Sequence, residues 1–216
     1  MANTCLQLTG FLISLLGWVA LIIATATNEW VITCKYGMNT CRKMDELGAK
    51  GLWAECVIST SLYHCITLNK ILELPAYIQT ARALMITACI LGLPAAAMLL
   101  VSMPCVNLGG EEQSAKNRQA MLGGTITLIV ALCGVISTVW FPIGSYQEQD
   151  LMTFGFSLYS GWVGAALSLL GGFMIVCCAV ESSAPYTENN RFYYSRHGQA
   201  TPTNPSSTNH AKSAHV

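Results

Sequence analysis

The chain has 216 residues, 53% of them apolar and only 10% charged, with acidic and basic side chains balanced to a formal net charge of zero. Soluble domains carry roughly 25% charged residues, so this composition excludes an ordinary water-soluble fold and points to lipid. No basic stripe interleaved with aromatics is present, which removes nucleic acid from the partners.

Four windows lack Asp, Glu, Lys, Arg and His altogether: 6–27, 83–106, 120–146 and 151–180. Each is long enough to cross about 30 Å of hydrocarbon as a helix. The first ends in Ala24-Thr25-Ala26, which imitates a signal-peptidase site. Its apolar run is longer than a signal peptide's usual ~7–15 residues, and no Lys or Arg precedes it, so the segment is read as a retained span. The last two windows exceed the ~20 residues needed and must overhang into the interface, with Trp140, Phe141 and Tyr159 as belt residues.

Between the first two spans lies a long loop with Trp30, Gly51-Leu52-Trp53, Cys56 and Cys65. Around Trp30 to Tyr36 and Trp53 to Thr67 the residues favour strands, which predicts two hairpins. A two-residue turn at Thr60-Ser61 sets Cys56 directly opposite Cys65, inside disulfide range. A turn at Gly37-Met38, with Gly in the place a type II′ turn requires, sets Cys34 opposite Cys41; a second disulfide and two unpaired thiols both fit that spacing. Lys70 to Leu74 reads as one short amphipathic turn before Pro75. Arg82 stands at the mouth of the second span, placed to bind loop carbonyls or carboxylates, or to snorkel.

Charge does not orient the chain. Six of its bases (Lys35, Arg42, Lys43, Lys50, Lys70, Arg82) lie in the first loop, against Lys116 and Arg118 in the second and Arg191, Arg196 and Lys212 in the tail. Cysteine usage decides instead. Cys34, Cys41, Cys56 and Cys65 share the first loop, and disulfides persist on an oxidising face, so that loop and the third face outward and both termini are cytoplasmic. Cys105, Cys177 and Cys178 then sit at inner helix ends as palmitoylation candidates, or as small apolar residues.

Small residues repeat every four positions along three spans: Ala88, Gly92 and Ala96; Gly123, Thr127 and Ala131; Gly164, Ser168 and Gly172. Helices in lipid associate through such flat faces, here read as packing within one bundle, with helix contacts between protomers as the alternative. Pro94 is expected to kink the second span. No ionisable group lies at bilayer depth, which argues against a pump or proton relay.

His64 beside Cys65 lacks the spaced ligand set of a metal site. No phosphate loop, metalloprotease motif or nucleophile elbow occurs, so neither an enzyme nor a cofactor is expected. The organisation is read as a transmembrane domain at 1–180, with extracellular loops at 28–82 and 147–156, followed by a disordered cytoplasmic tail at 181–216. The tail holds Phe192-Tyr193-Tyr194 and ends at His215-Val216, whose apolar side chain and free carboxylate suit a PDZ groove.

Trp30, Gly51-Leu52-Trp53, Cys56, Cys65, Arg82 and Gly161-Trp162 together resemble the claudins over nearly the whole chain. Thr40-Cys41-Arg42-Lys43, Arg191-Phe192-Tyr193-Tyr194 and the final Ala211-Lys212-Ser213-Ala214-His215-Val216 narrow the resemblance to one branch. It implies a four-transmembrane left-handed helix bundle topped by a small extracellular antiparallel β-sheet, four strands from the first loop and one from the second extracellular loop. It also implies tight-junction strands, polymerised with like chains in cis and in trans, and PDZ scaffolds as partners. Sister tetraspans that act as channel or receptor auxiliary subunits share the Trp and Cys motif, which leaves that role as the alternative. Many of them carry a glycosylation sequon in the first loop, and this chain has none. Val31 stands where many claudins place Arg. Ser59 and Ile66 occupy places where cation-conducting members keep an acid, and Glu29, Asp45, Glu46, Glu55 and Glu73 nearly offset the six first-loop bases, so a seal is expected rather than a cation pore.

Overall fold

The computed structural model describes residues 2–34, 47–59, 62–69, 73–103, 113–148 and 152–183. Four helices dominate: α1 (Ala2–Ala26), α2 (Ala76–Ser102), α3 (Gln113–Glu148) and α4 (Phe156–Ser183). Hydrocarbon offers no partner for backbone N–H and C=O groups, so apolar runs of this length must close their hydrogen bonds internally. All four helices are long and apolar enough to cross a membrane. The threonines follow the same logic. Thr25, Thr87, Thr125 and Thr127 each return their hydroxyl proton to a carbonyl one turn back.

Helix bounds differ from the charge-free windows. α2 begins at Ala76 rather than at position 83, nucleated by Pro75, whose carbonyl accepts from Ile78 N and Gln79 N. Arg82 is therefore inside the helix. Pro94 also lies inside it, in an unbroken helical run. The fourth window opens not as helix but as strand β5 (Met152–Phe154), with α4 starting only at Phe156. Uncharged Leu, Met, Thr and Phe carry no sign of whether they will span or pair.

Strands β1 (Val31–Thr33), β2 (Leu47–Lys50), β3 (Ala54–Ser59), β4 (Leu62–Thr67) and β5 form one antiparallel sheet in the order β4-β3-β2-β1-β5. β3 and β4 pair in the register set by a turn at 60–61, with Cys56 opposite Cys65 and Ser59 opposite Leu62. The first hairpin differs from expectation. A turn at Gly37-Met38 would put Val31 opposite Met44, but Val31 faces Lys50 and Thr33 faces Gly48. The partner is β2, a Leu-Gly-Ala-Lys strand with weak intrinsic strand preference. It is recruited because it fits between two better strands, β1 and β3.

Helix contacts are close. A Cβ at Gly123 would meet the Leu99 side chain at 2.9 Å, while one at Gly144 would run into the ring of Tyr77. Gly124 faces Gly172 and Val176, and Gly134 faces Leu21 and Ala165. The stripe residues Ala88 and Ala131 are fully buried within the chain's own bundle. α1 carries a further stripe not singled out in the sequence, with Gly10 and Gly17 lying against Gly171, Gly164 and Ser168 of α4. The core at the sheet end gathers Trp30, Val31, Leu52, Tyr77, Ile78, Phe141 and Leu158.

Candidate functional site

The sheet is fastened to the helix ends by the residues that the sequence singles out. A helix leaves its last four carbonyls without intrahelical donors, and at the end of α1 two indoles supply them. Trp30 Nε1 donates to Ala24 O at 2.9 Å, and Trp53 Nε1 donates to Thr25 O at 2.7 Å. Thr27 N and Thr27 Oγ1 both donate to Ile23 O, which satisfies a third. Trp30 is fully buried and its ring packs on Phe141 at 4.9 Å, with Tyr77 edge-on to the same Phe141 at 5.6 Å.

Gly51 allows this approach. Any side chain there would collide with the backbone of Asn28, and Asn28 Oδ1 accepts from Trp53 N at 3.2 Å. Leu52, between them, is fully buried. Arg82 reaches back from α2 to clasp the same segment. Its Nε donates to Leu52 O and its Nη2 to Leu68 O at 3.3 Å, while the guanidinium lies 5.1 Å from the Trp53 ring centre. A planar, fixed donor fork suits two separate loop carbonyls as an ammonium would not.

A second clamp holds β1 to the start of α4. Gly155 N donates to Trp30 O, Ser157 N donates to Glu29 O, and Glu29 N donates to Ser157 Oγ at 3.0 Å. A Cβ at Gly155 would strike Glu29 O. Asn28, Gly155 and Ser157 escaped the sequence reading. A Gly just ahead of an apolar run was the available signal, masked by the uniform hydrophobicity of 151–180.

Cys56 and Cys65 are disulfide-bonded, with Cα atoms 4.0 Å apart, and cluster with Ala49 and Ala54 on one face of the sheet. Cys34 is buried and also disulfide-bonded, while Cys41, its expected partner, lies outside the described residues. The other face changes character across the sheet. At β1 it carries buried Val31 and Thr33; at β3 and β4 it carries exposed Glu55, Val57, His64 and Ile66, the last 62% exposed on edge strand β4. Beside β5, Phe154, Tyr159 and Trp162 form a triangle of edge-to-face rings with centroids 5.4 to 6.4 Å apart. No cluster of three or more His, Cys, Asp or Glu side chains able to hold a metal occurs among the described residues. At the far end of α4, Cys177 is exposed and Cys178 buried; Cys105, His215 and Val216 lie outside the described residues.

Four membrane-crossing helices, with a five-stranded sheet clamped to one end by two indoles and a guanidinium, define a multi-pass membrane protein whose distinctive surface is that sheet. The model of the PMP-22/EMP/MP20/Claudin family matches residues 4–175. Claudin-11 from Bos taurus is 52% identical over 216 residues, all of both chains, and claudin-11 from Homo sapiens is 51% identical over the same span. Claudin-7 from Rattus norvegicus is 38% identical over 201 residues, 86% of this chain and 92% of its own. The chain belongs to the claudin family of tight-junction membrane proteins, which are structural rather than enzymatic.

Proposed function

We propose that this chain is a subunit of tight-junction strands, that it polymerises in cis within one membrane and in trans between two, and that its sheet seals the paracellular path rather than conducting cations. The reading rests on Ile66. On the exposed part of the sheet this position is apolar and 62% exposed, and the exposed residue opposite it, Glu55, is the one acid of that four-residue patch. A single carboxylate beside Val57, His64 and Ile66 makes too weak a field to gather cations.

The sheet faces outward and both termini face the cytoplasm. The disulfide bonds of Cys34 and of Cys56 with Cys65 support this, because all lie at one end of the bundle and need an oxidising compartment. In that orientation the Val216 carboxylate is presented to cytoplasmic PDZ scaffolds, and exposed Cys177 is open to acylation.

Expression in a leaky epithelial monolayer tests the reading. Transepithelial resistance should rise with wild type, and Ile66→Asp should lower it again with a preference for Na⁺ over Cl⁻. A wild-type chain that itself lowers resistance with cation preference refutes the seal. Absence of intramembrane fibrils in freeze-fractured transfected fibroblasts refutes strand formation and favours an auxiliary-subunit role.

A further inference from the structure

Midway along the bundle, between residues of all four helices, lies a cavity of about 20 Å³. Ser14 of α1, Thr127 of α3 and Ser168 of α4 contribute to its wall, as do Gly92, Ala95 and Ala96 of α2. Three hydroxyls in one small space at the centre of a membrane bundle are unusual, because an unsatisfied polar group there has neither water nor lipid to turn to.

The hydrogen bonds of the three differ. Ser14 Oγ donates to Phe11 O at 2.8 Å and Thr127 Oγ1 donates to Gly123 O at 2.9 Å, so each proton is used within its own helix while acceptor capacity remains. Ser168 is fully buried, and its Oγ pairs with no described protein group. The indole of Trp18 does not serve it, since Trp18 Nε1 donates to Cys89 O at 3.2 Å while its ring lies on Gly92. One hydroxyl with no described partner and two with spare acceptor capacity thus belong to residues that line a space large enough for a water, which needs about 10–15 Å³ and two to four polar partners.

We propose that this cavity binds one water molecule, which accepts from Ser168 Oγ and donates to Ser14 Oγ and Thr127 Oγ1, tying α1, α3 and α4 together at mid-membrane. The site is independent of what the sheet does at the junction. It accounts for hydroxyls on three helices at one depth, where small apolar residues would pack equally closely.

X-ray radiolysis of the full chain in nanodiscs tests it, because hydroxyl radicals form from water in place and oxidise the nearest side chains. Phe11 and Trp18, which line the cavity, should be oxidised in wild type, and severalfold less in the Ser168→Ala, Thr127→Val double variant. Trp30 and Phe141, buried elsewhere in the same fold, should not change between the two. Unlabelled Phe11 and Trp18 in wild type, or equal labelling in both proteins, would overturn the proposal. Thermal unfolding gives a second reading. Ser168→Ala should lower the midpoint if the hydroxyl holds a water, whereas a higher midpoint would show an unpartnered hydroxyl in a dry void.

Discussion

The sheet end and the middle of the bundle are held together by different means. At the sheet end, named atoms meet named atoms: two indole nitrogens on two helix-end carbonyls, one guanidinium on two loop carbonyls, and a disulfide across β3 and β4. In the bundle, glycines let one helix approach another, and among the described residues side chains such as Ser137 and Ser160 hydrogen-bond across, to Ala81 O and Ala20 O. Water is the reason for the contrast. A segment beside water could always hydrogen-bond to solvent instead, so it needs specific partners to be fixed in one conformation. A helix in lipid is already satisfied and needs only shape.

The comparison breaks most sharply at glycines that touch backbone. Gly51→Val should prevent the sheet from closing on α1, because the clash is with the main chain of Asn28 and nothing there can rotate aside. Loss of the folded species in size-exclusion profiles, and of chain at the cell surface, is the expected outcome; wild-type behaviour would show that the clamp is dispensable. Next comes Cys56→Ser, which should cost about 2–4 kcal/mol, the usual worth of a native disulfide. The cost falls on the loop fold, so barrier function should be lost while the helices still insert. A normal transepithelial resistance in that variant would contradict the assignment.

The smallest effects sharpen the distinction between the two ends. Trp53→Phe keeps the ring under Arg82 but removes the donor to Thr25 O, at a cost of about 1 kcal/mol. Ser137→Ala removes an interhelical bond of the kind worth about 0.6 kcal/mol in a membrane bundle. Chemical unfolding in mixed micelles should rank Trp53→Phe as the more destabilising. The reverse order would mean that the bundle, too, depends on specific polar pairs.

Much of the sheet end was legible because covalent and steric constraints have short sequence signatures. Two cysteines flanking a possible two-residue turn fix one register, and the Cys56 to Cys65 pairing follows from spacing with no further knowledge. The same arithmetic misjudged β1, whose partner is β2 rather than a strand just past Gly37-Met38. Spacing shows what a turn would allow, but not whether a better-placed strand competes. Leu47 to Lys50 has nothing to recommend it as a strand except its neighbours. β5 was hidden for a related reason, since in an uncharged window hydrophobicity cannot separate the last strand residues from the first helical ones.

By itself the sequence determined the four spans and the Cys56 to Cys65 staple. It also marked Trp30, Gly51-Leu52-Trp53 and Arg82 as a group, because length, apolarity and spacing are local properties. Only the tertiary structure decided what that group does. The carbonyls that Trp30 and Trp53 cap lie at the end of α1, those that Arg82 binds lie on both sides of the β3–β4 hairpin, and Asn28, Gly155 and Ser157 gain their roles from chain segments far from them in sequence. Hydrogen-bond partners of this kind are fixed by where helices end and strands dock, and no window of residues contains that information.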